Sequence, residues 1–324
     1  MKIALLSNHV SGLVKFDYLR NTGFHFDAVI TCDPKMAHEQ SISGYSDFRE
    51  AASSSNTSIY TVSSLNLKAP QDLEYFQKNK FDLLVIGGWQ RLIPQAILDT
   101  LAWGALAEHG SSEELPRGRG RSPIAWTLAS GRKRFVLHLF RADSGADSGE
   151  IVDVRALELT PQDDIRSVYY KVGIASGQML LNTLTKIRTH TLTARAEAKV
   201  EPTYFRKRGE PDDFVDWSAS TQAILDQVRA CAAPYPMAKA RLLGKPMLLK
   251  RCIPFDSFLD FFGRHPGEIL QVMPAGEILV KTADGSLLIE DYSYDSRIEV
   301  GAIFEKHFPV CRSSAGEGMM IDVL

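Results

Sequence analysis

The sequence has few cysteines, and none of them occurs in a pattern that would make it structural or metal-binding. Among 324 residues there are four, at Cys32, Cys231, Cys252 and Cys311. None lies in a Cys-x-x-Cys pair or at a metal-ligand spacing from a histidine. We therefore expect no disulfide framework, no zinc site and no other metal cofactor.

Long apolar runs and a dominant charge are also lacking. No stretch reaches the roughly 18 apolar residues that a membrane-spanning helix needs. The opening segment, MKIALLSNHV, is too short in apolar residues for a signal-peptide core. Lys and Arg number 37 against 39 Asp and Glu, a balance that argues against a general nucleic-acid binder. We expect a soluble cytoplasmic protein with no membrane and no nucleic-acid partner, and the sequence leaves a homo-oligomer open.

What the first 160 residues do contain is an alternation of strand-like and helix-like segments. Residues 82–87 (DLLVIG) form the strongest strand pattern, a continuous apolar run closed by glycine, which is typical of a strand covered on both faces. Shorter runs occur at residues 2–7 and 27–32. The order predicts an α/β fold with a Rossmann-like, mostly parallel sheet and helices on both faces. Ligands should then bind beyond the carboxyl ends of the strands.

The remaining part of the chain has a different pattern. Residues 206–213 (RKRGEPDD) are charged, contain Gly and Pro, and indicate a linker. Short strand-like runs separated by glycine turns follow, which favours a small β-rich, barrel-like domain. We therefore predict an α/β domain over residues 1–205, then a linker helix and a small β-rich domain over residues 206–324.

The residues best suited to catalysis lie between positions 104 and 152. His109 follows a strand pattern, and Asp143 and Asp147 lie in a Ser/Gly-rich turn. A histidine oriented by a carboxylate is a general acid/base unit. The competing interpretation is a non-catalytic histidine with turn-forming aspartates, and the residues alone leave both open.

Arginines are concentrated just after this histidine. Arg117, Arg119 and Arg121 alternate with glycines, and residues 132–134 add three more basic groups. Guanidinium groups bind diphosphates through paired hydrogen bonds, so a nucleotide-linked ligand is one interpretation. A solvated basic surface is the other.

The order of these motifs resembles that of a known family. His109 is followed by Ser111, Leu115-Pro116, residues 119–123 (RGRSP) and residues 143–151 (DSGADSGEI). This series is similar to the core of the formyltransferases that use 10-formyltetrahydrofolate. Residues 81–98 and 203–217 resemble the folate-pocket turn and the hinge of that family, and the resemblance covers most of residues 1–235. Gly88-Trp89 and the Arg/Gly run look most like the sugar N-formyltransferases.

The resemblance implies an enzyme that moves the formyl group of 10-formyltetrahydrofolate to an amine. In that family pattern His109 polarises the formyl oxygen or accepts the amine proton, and Asp147 holds the imidazole. The family asparagine falls on Ala107, which cannot donate a hydrogen bond. The implied folate-binding residues are Arg91, Leu92, Ile93, Asp143, Gly145 and Ala146. The implied substrate-binding residues are Trp89, Ser111, Arg117, Arg119 and Arg121.

Charge distribution bears on the acceptor. From residue 206 to the end, 14 Lys and Arg stand against 17 Asp and Glu, a net charge of −3. A domain that binds a nucleic-acid backbone should be basic. This favours a small acceptor, in particular a nucleotide-linked amino sugar, as in polysaccharide biosynthesis. Three alternatives stay open: a methionyl-tRNA formyltransferase, a formyltetrahydrofolate hydrolase, and a non-catalytic relative that binds folate or a nucleotide.

Overall fold

The protein divides into two compact units, seen in a computed structural model that describes residues 1–306. The first unit comprises Met1–Gly120, Arg134–Glu158 and Ser167–Thr203. The second comprises Arg121–Lys133, Leu159–Arg166 and the chain from Tyr204 onward. The boundary at residues 205/206 stays a prediction. Cys32, Cys231 and Cys252 carry free thiols, and Cys311 lies outside the described residues.

A mostly parallel sheet forms the centre of the first unit. Its strands are β1 (Ile3–Leu6), β2 (Ala28–Thr31), β3 (Ser58–Thr61), β4 (Leu83–Ile86), β5 (Gly104–Ser111), β7 (Arg134–Arg141) and β8 (Ile151–Glu158), with a two-residue strand β6 (Arg119–Gly120) outside it. The spatial order is β3-β2-β1-β4-β5-β7-β8. The strands from β3 to β5 pair in parallel, and β7 and β8 are antiparallel. The predicted α/β class with a mostly parallel sheet is confirmed.

Helices connect and cover these strands. They are α1 (Val10–Asn21), α2 (Pro34–Glu39), α3 (Arg49–Ser54), α4 (Pro70–Asn79), α5 (Gln95–Leu98), α6 (Pro123–Ala129), α7 (Ile165–Arg188) and α8 (Thr221–Ala230). Every residue of β1 and β4 is buried, because these strands consist of apolar side chains and lie at the centre of the sheet. In the described part of the chain, no helix is both long and apolar enough to cross a bilayer.

The direction of strand addition reverses between β1 and β4, so this edge is the topological switch point of the sheet. The chain leaves β1 through Ser7, Asn8 and His9, and leaves β4 through the segment that begins at Gly87. Gly88 has φ +70°, and a Cβ atom there would lie 2.5 Å from the Cβ of His9. The two loops therefore touch, which requires glycine, at the place where such sheets bind ligands.

A buried ion pair connects α1 to β5, close to the loop that follows β4. The ammonium of Lys15 contacts the carboxylate of Glu108 on β5, and the side chains are 1% and 7% exposed. The pair packs against Gly87, since a Cβ atom there would lie 3.1 Å from Oε2 of Glu108. Glu108 precedes His109, so this contact ties the first helix to the strand that carries the candidate catalytic histidine.

The second unit is built on an antiparallel sheet. After the short strand β9 (Tyr204–Phe205) its strands are β10 (Ala238–Leu242), β11 (Lys245–Asp256), β12 (Ile269–Val272), β13 (Ile278–Lys281) and β14 (Ser286–Ser293), in the order β10-β11-β14-β13-β12. The predicted β-rich C-terminal part is confirmed. One of the strand-like runs in this part of the sequence, residues 299–304, forms no strand: Ile303 makes an isolated bridge to Glu268, and Phe304 stacks on Trp217.

Candidate active site

The structure brings His109 and Asp147 together. His109 lies on β5 and is 8% exposed, and its Nδ1 is 3.3 Å from Oδ1 of Asp147. The other carboxylate oxygen, Oδ2, accepts the backbone N–H of Gly120 at 3.1 Å. Both oxygens of Asp147 are therefore engaged, which fixes the carboxylate and the ring it faces. This arrangement matches a histidine oriented by an acid.

The backbone conformation of Asp147 is unusual. Its φ is +50°, in the left-handed region that aspartate tolerates better than most residues. The preceding turn is held by Asp143, whose Oδ1 accepts the N–H of Gly145 at 2.8 Å and the hydroxyl of Ser148 at 2.7 Å. Asp143, Gly145 and Ala146 are exposed, so they form the rim of the turn that presents Asp147.

Both ring nitrogens of His109 face oxygen acceptors. Nε2 is 2.8 Å from the carbonyl oxygen of Gly118, while Nδ1 faces Asp147. A neutral imidazole has one N–H and can donate to only one of them, whereas an imidazolium donates to both. The orientation of the His109 ring is therefore fixed from both sides.

Gly118 is the last residue of a segment, residues 112–118, that we call the strap. Ser111, just before it, accepts the N–H of Glu113 at 3.1 Å and donates to the Glu113 carbonyl at 2.9 Å. Gly118 itself donates to the hydroxyl of Thr203 at 2.8 Å. The buried hydroxyl of Ser111 therefore makes hydrogen bonds within the chain, and its predicted contact with substrate stays a prediction.

A second histidine lies directly across from His109. His138 on β7 pairs with His109 in the antiparallel ladder and is completely buried. Its Nε2 accepts the backbone N–H of Leu115 in the strap at 3.3 Å. Burial, and then the nearby charge of His109, lowers the pKa of His138 to about 4. His138 is neutral at pH 7, and the sequence analysis did not identify it.

The segment after β4 contains the other residues of the predicted folate pocket. Arg91 donates to Oε1 of Gln40 at 3.1 Å, Leu92 is 56% exposed, and Ile93 is buried in the apolar core. The indole N–H of Trp89 is buried and has no hydrogen-bond partner among residues 1–306. Gln90 is locked in place by an amide pair with buried Asn8, with contacts of 2.8 and 3.1 Å.

The three arginines predicted to bind substrate have different surroundings. Arg119 is 12% exposed and forms an ion pair with Glu197, which lies 78 residues further along the chain. Arg117 is half-exposed, 3.6 Å from Glu113. Arg121 belongs to the second unit, where its N–H donates to the Phe205 carbonyl at 2.8 Å. The positive charge of Arg119 is therefore balanced inside the protein.

Ala107 lies two residues before His109 on β5. Its methyl group packs against the main apolar core and also against a small cluster of Leu115, Phe140 and Ile151. The side chain at position 107 thus contributes packing and no hydrogen bond. Among residues 1–306, no group of three or more His, Cys, Asp or Glu side chains could hold a metal ion.

Comparison with known protein families identifies both parts of the chain. Residues 1–184 match the family described as "Formyl transferase", and residues 210–302 match "Formyl transferase, C-terminal domain". A curated relative, the methionyl-tRNA formyltransferase of Geobacter metallireducens, is 28% identical over 236 residues, which is 73% of this chain and 73% of the relative.

Solved structures share the fold. HypX from Aquifex aeolicus in complex with tetrahydrofolic acid matches with a TM-score of 0.61 at 19% identity over 95% of this chain, which spans 46% of the HypX chain. The N-formyltransferase of Helicobacter canadensis in complex with folinic acid and dTDP-3-aminofucose matches with a TM-score of 0.61 at 13% identity, covering 89% of this chain and 98% of that one. Because the first family match alone covers more than half of the sequence, this chain belongs to the formyltransferase family, enzymes that transfer the formyl group of 10-formyltetrahydrofolate.

Proposed function

We propose that this enzyme transfers the formyl group to the amine of a small acceptor, in particular a nucleotide-linked amino sugar, with His109 and Asp147 as the catalytic pair. The observation that carries the proposal is the 3.3 Å contact between Nδ1 of His109 and Oδ1 of Asp147 at the ligand-binding edge of the sheet. General acid/base catalysis by such a unit contributes about 10²- to 10⁴-fold to a rate.

The roles of the chain's own groups follow from the two hydrogen-bond acceptors of His109. Asp147 holds Nδ1, so Nε2 is the nitrogen that can act on substrate. Its N–H points at the Gly118 carbonyl, which orients the ring, and the formyl oxygen of the donor would share that N–H. Since Ala107 offers no hydrogen bond, we assign the polarisation of the formyl oxygen to Nε2 of His109. Once Nε2 has passed its proton to the oxygen of the tetrahedral intermediate, its free lone pair can accept the proton that the attacking amine releases.

The segment after β4 fits a folate. The buried indole N–H of Trp89 lacks a partner, and the backbone N–H groups of Arg91, Leu92 and Ile93 donate no hydrogen bond within residues 1–306. Unused donors at a ligand edge suit the polar rim of a pterin ring. In this proposal Arg91, Leu92 and Ile93 act mainly through their backbone, and 10-formyltetrahydrofolate supplies the formyl group.

The acceptor is inferred from charge. From residue 252 to the end, the sequence has 5 Lys and Arg against 12 Asp and Glu. Neutralisation of phosphates by cationic side chains dominates nucleic-acid binding, so this composition disfavours a tRNA acceptor. Methionyl-tRNA is the second candidate, because the methionyl-tRNA formyltransferase of Geobacter metallireducens is 28% identical to this chain over 73% of its own length.

The acceptor assignment is tested by measuring formyl transfer to dTDP-3-aminofucose and to methionyl-tRNA under the same conditions. We expect kcat/KM to be at least about 100-fold higher for the amino sugar, the discrimination that a pocket with dedicated polar contacts provides. The rate with the sugar should change only a few-fold between 50 and 200 mM salt, whereas a complex with 6–10 phosphate contacts weakens by about 10³ to 10⁵.

Efficient and strongly salt-dependent formylation of methionyl-tRNA would overturn the small-acceptor proposal. It would leave the roles of His109 and Asp147 unaffected, because both acceptors present the same kind of amine.

A further inference from the structure

The strap that faces His109 is held by a buried side chain with no other evident function. Leu115, at the middle of the strap, donates its backbone N–H to Nε2 of His138. Three residues later, the Gly118 carbonyl meets Nε2 of His109. His138 and His109 are direct partners across β7 and β5. One histidine therefore holds the strap, and the strap contacts the other histidine.

The direction of the Leu115 hydrogen bond determines the tautomer of His138. An N–H can donate only to an unprotonated ring nitrogen, so Nε2 carries no proton and Nδ1 carries the proton of the neutral ring. Nδ1 is buried and has no hydrogen-bond partner among residues 1–306. A neutral ring also adds no charge beside His109, whose two ring nitrogens face oxygen acceptors.

We propose that His138 is a positioning residue: its Nε2 anchors the Leu115 amide and thereby sets the Gly118 carbonyl against Nε2 of His109. The anchor works together with a second one, the hydroxyl of Thr203, which accepts the N–H of Gly118. The backbone N–H groups of Leu115 and Gly118 are thus both hydrogen-bonded, which restricts the position of the Gly118 carbonyl beside His109. The inference rests on the proposed catalytic role of His109, but it concerns a side chain that does not touch substrate.

Within residues 1–306, the charges of three neighbouring groups act on the protonation of His138. They are His109 on β5, Glu114 in the strap and Arg195 after α7. Arg195 lies 3.2 Å from Glu114, so these two charges largely offset each other. The neutral state of His138 is therefore set mainly by its burial.

The first test uses the unmodified protein. Long-range proton–nitrogen NMR correlation at pH 7 reports which nitrogen of each histidine is protonated. We expect His138 to carry its proton on Nδ1, with a bare Nε2. A proton on Nε2, alone or in an imidazolium, would overturn the proposal because that nitrogen could not accept the Leu115 N–H.

Two substitutions then separate positioning from packing. His138→Leu fills the space without an acceptor, and His138→Gln offers an amide oxygen in place of Nε2. In His138→Leu we expect the Leu115 amide to exchange about 10- to 100-fold faster. We also expect kcat to fall about 10- to 100-fold with the KM for the folate donor changed less than about threefold, the result of a misplaced catalytic group.

His138→Gln should restore amide protection and bring kcat to within about threefold of the unmodified enzyme. Substitution of the exposed His25 by Gln is the matched control and should change none of these quantities. Unchanged Leu115 exchange in His138→Leu, or equal impairment of both variants, would overturn the proposal. If His138→Leu does not fold, the tautomer and His138→Gln still decide. The tautomer and the amide exchange rate are measured without a formyl acceptor. A failure of the proposed function can therefore be distinguished from a failure of the positioning role of His138.

Discussion

Replacing Asp147 by asparagine is expected to lower kcat for formyl transfer by about 10²- to 10⁴-fold. Asp147 accepts from Gly120 through one oxygen and faces Nδ1 of His109 with the other. An asparagine has a single acceptor oxygen, so its NH₂ group would face either the ring or the Gly120 N–H. The uncharged amide would also stabilise an imidazolium far less. Steady-state kinetics with 10-formyltetrahydrofolate and the preferred amine acceptor measures the effect.

Asp153→Asn is the matched control for this variant. Asp153 lies on β8, just beyond the same turn, and among residues 1–306 its side chain accepts only the N–H of Val154, at 2.9 Å. We expect kcat within about twofold of the unmodified enzyme, as for a substitution away from the catalytic groups. An Asp147→Asn enzyme that retained more than a tenth of the original kcat would contradict the catalytic role of the carboxylate.

Removing the charge of Lys15 is expected to cost about 3–5 kcal/mol of unfolding free energy. Lys15→Met keeps most of the side-chain volume but leaves the carboxylate of Glu108 buried without its partner. Both side chains are almost fully buried, so solvent screens the pair little. Chemical denaturation, followed by a signal from the first unit, measures the loss.

The double variant Lys15→Met/Glu108→Leu provides the control. It removes both charges and leaves an apolar contact, so we expect it to be more stable than Lys15→Met by about 2 kcal/mol or more. The single variant Glu108→Leu completes the comparison. If the double variant lost as much unfolding free energy as Lys15→Met and Glu108→Leu together, the ion pair would not be the cause of the destabilisation. Glu108 is adjacent to His109, so we also expect the unpaired charge in Lys15→Met to reduce activity.

The central strands could be predicted from sequence because burial on both faces leaves a continuous apolar pattern. Residues 83–86 have that pattern and form β4, at the middle of the sheet. Boundaries that depend on polar contacts could not be predicted. The residues Thr160-Pro161-Gln162-Asp163 are typical of a helix start, yet α7 begins at Ile165, because the Asp163 carboxylate accepts the Thr160 N–H at 2.7 Å in a separate turn. The strand-like pattern of residues 299–304 also gave no strand: Val300 and Ile303 are exposed, and within the described residues the backbone of Gly301 and Ala302 is hydrogen-bonded to β12 only at Ile269.

The candidate site was predictable where its chemistry is local in sequence or carried by a motif. His109 and Asp147 were identified in this way, and the structure brings them into contact. Pairings over long separations left no signal: Glu197 balances Arg119 across 78 residues, and Lys15 meets Glu108 across 93. His138 had a weak signal, a lone histidine in the apolar run FVLHLF, whose meaning depends on the antiparallel register with β5.

The most direct test of formyl transfer to an amine is a single-turnover experiment with enzyme in excess over 10-formyltetrahydrofolate. We expect rapid appearance of tetrahydrofolate and of formylated dTDP-3-aminofucose when the amino sugar is present. Without it, we expect little loss of the donor. His109→Ala should slow the reaction by at least about 100-fold. Loss of the donor at the same rate without any amine would indicate hydrolysis, and an unchanged rate in His109→Ala would contradict the catalytic role of His109.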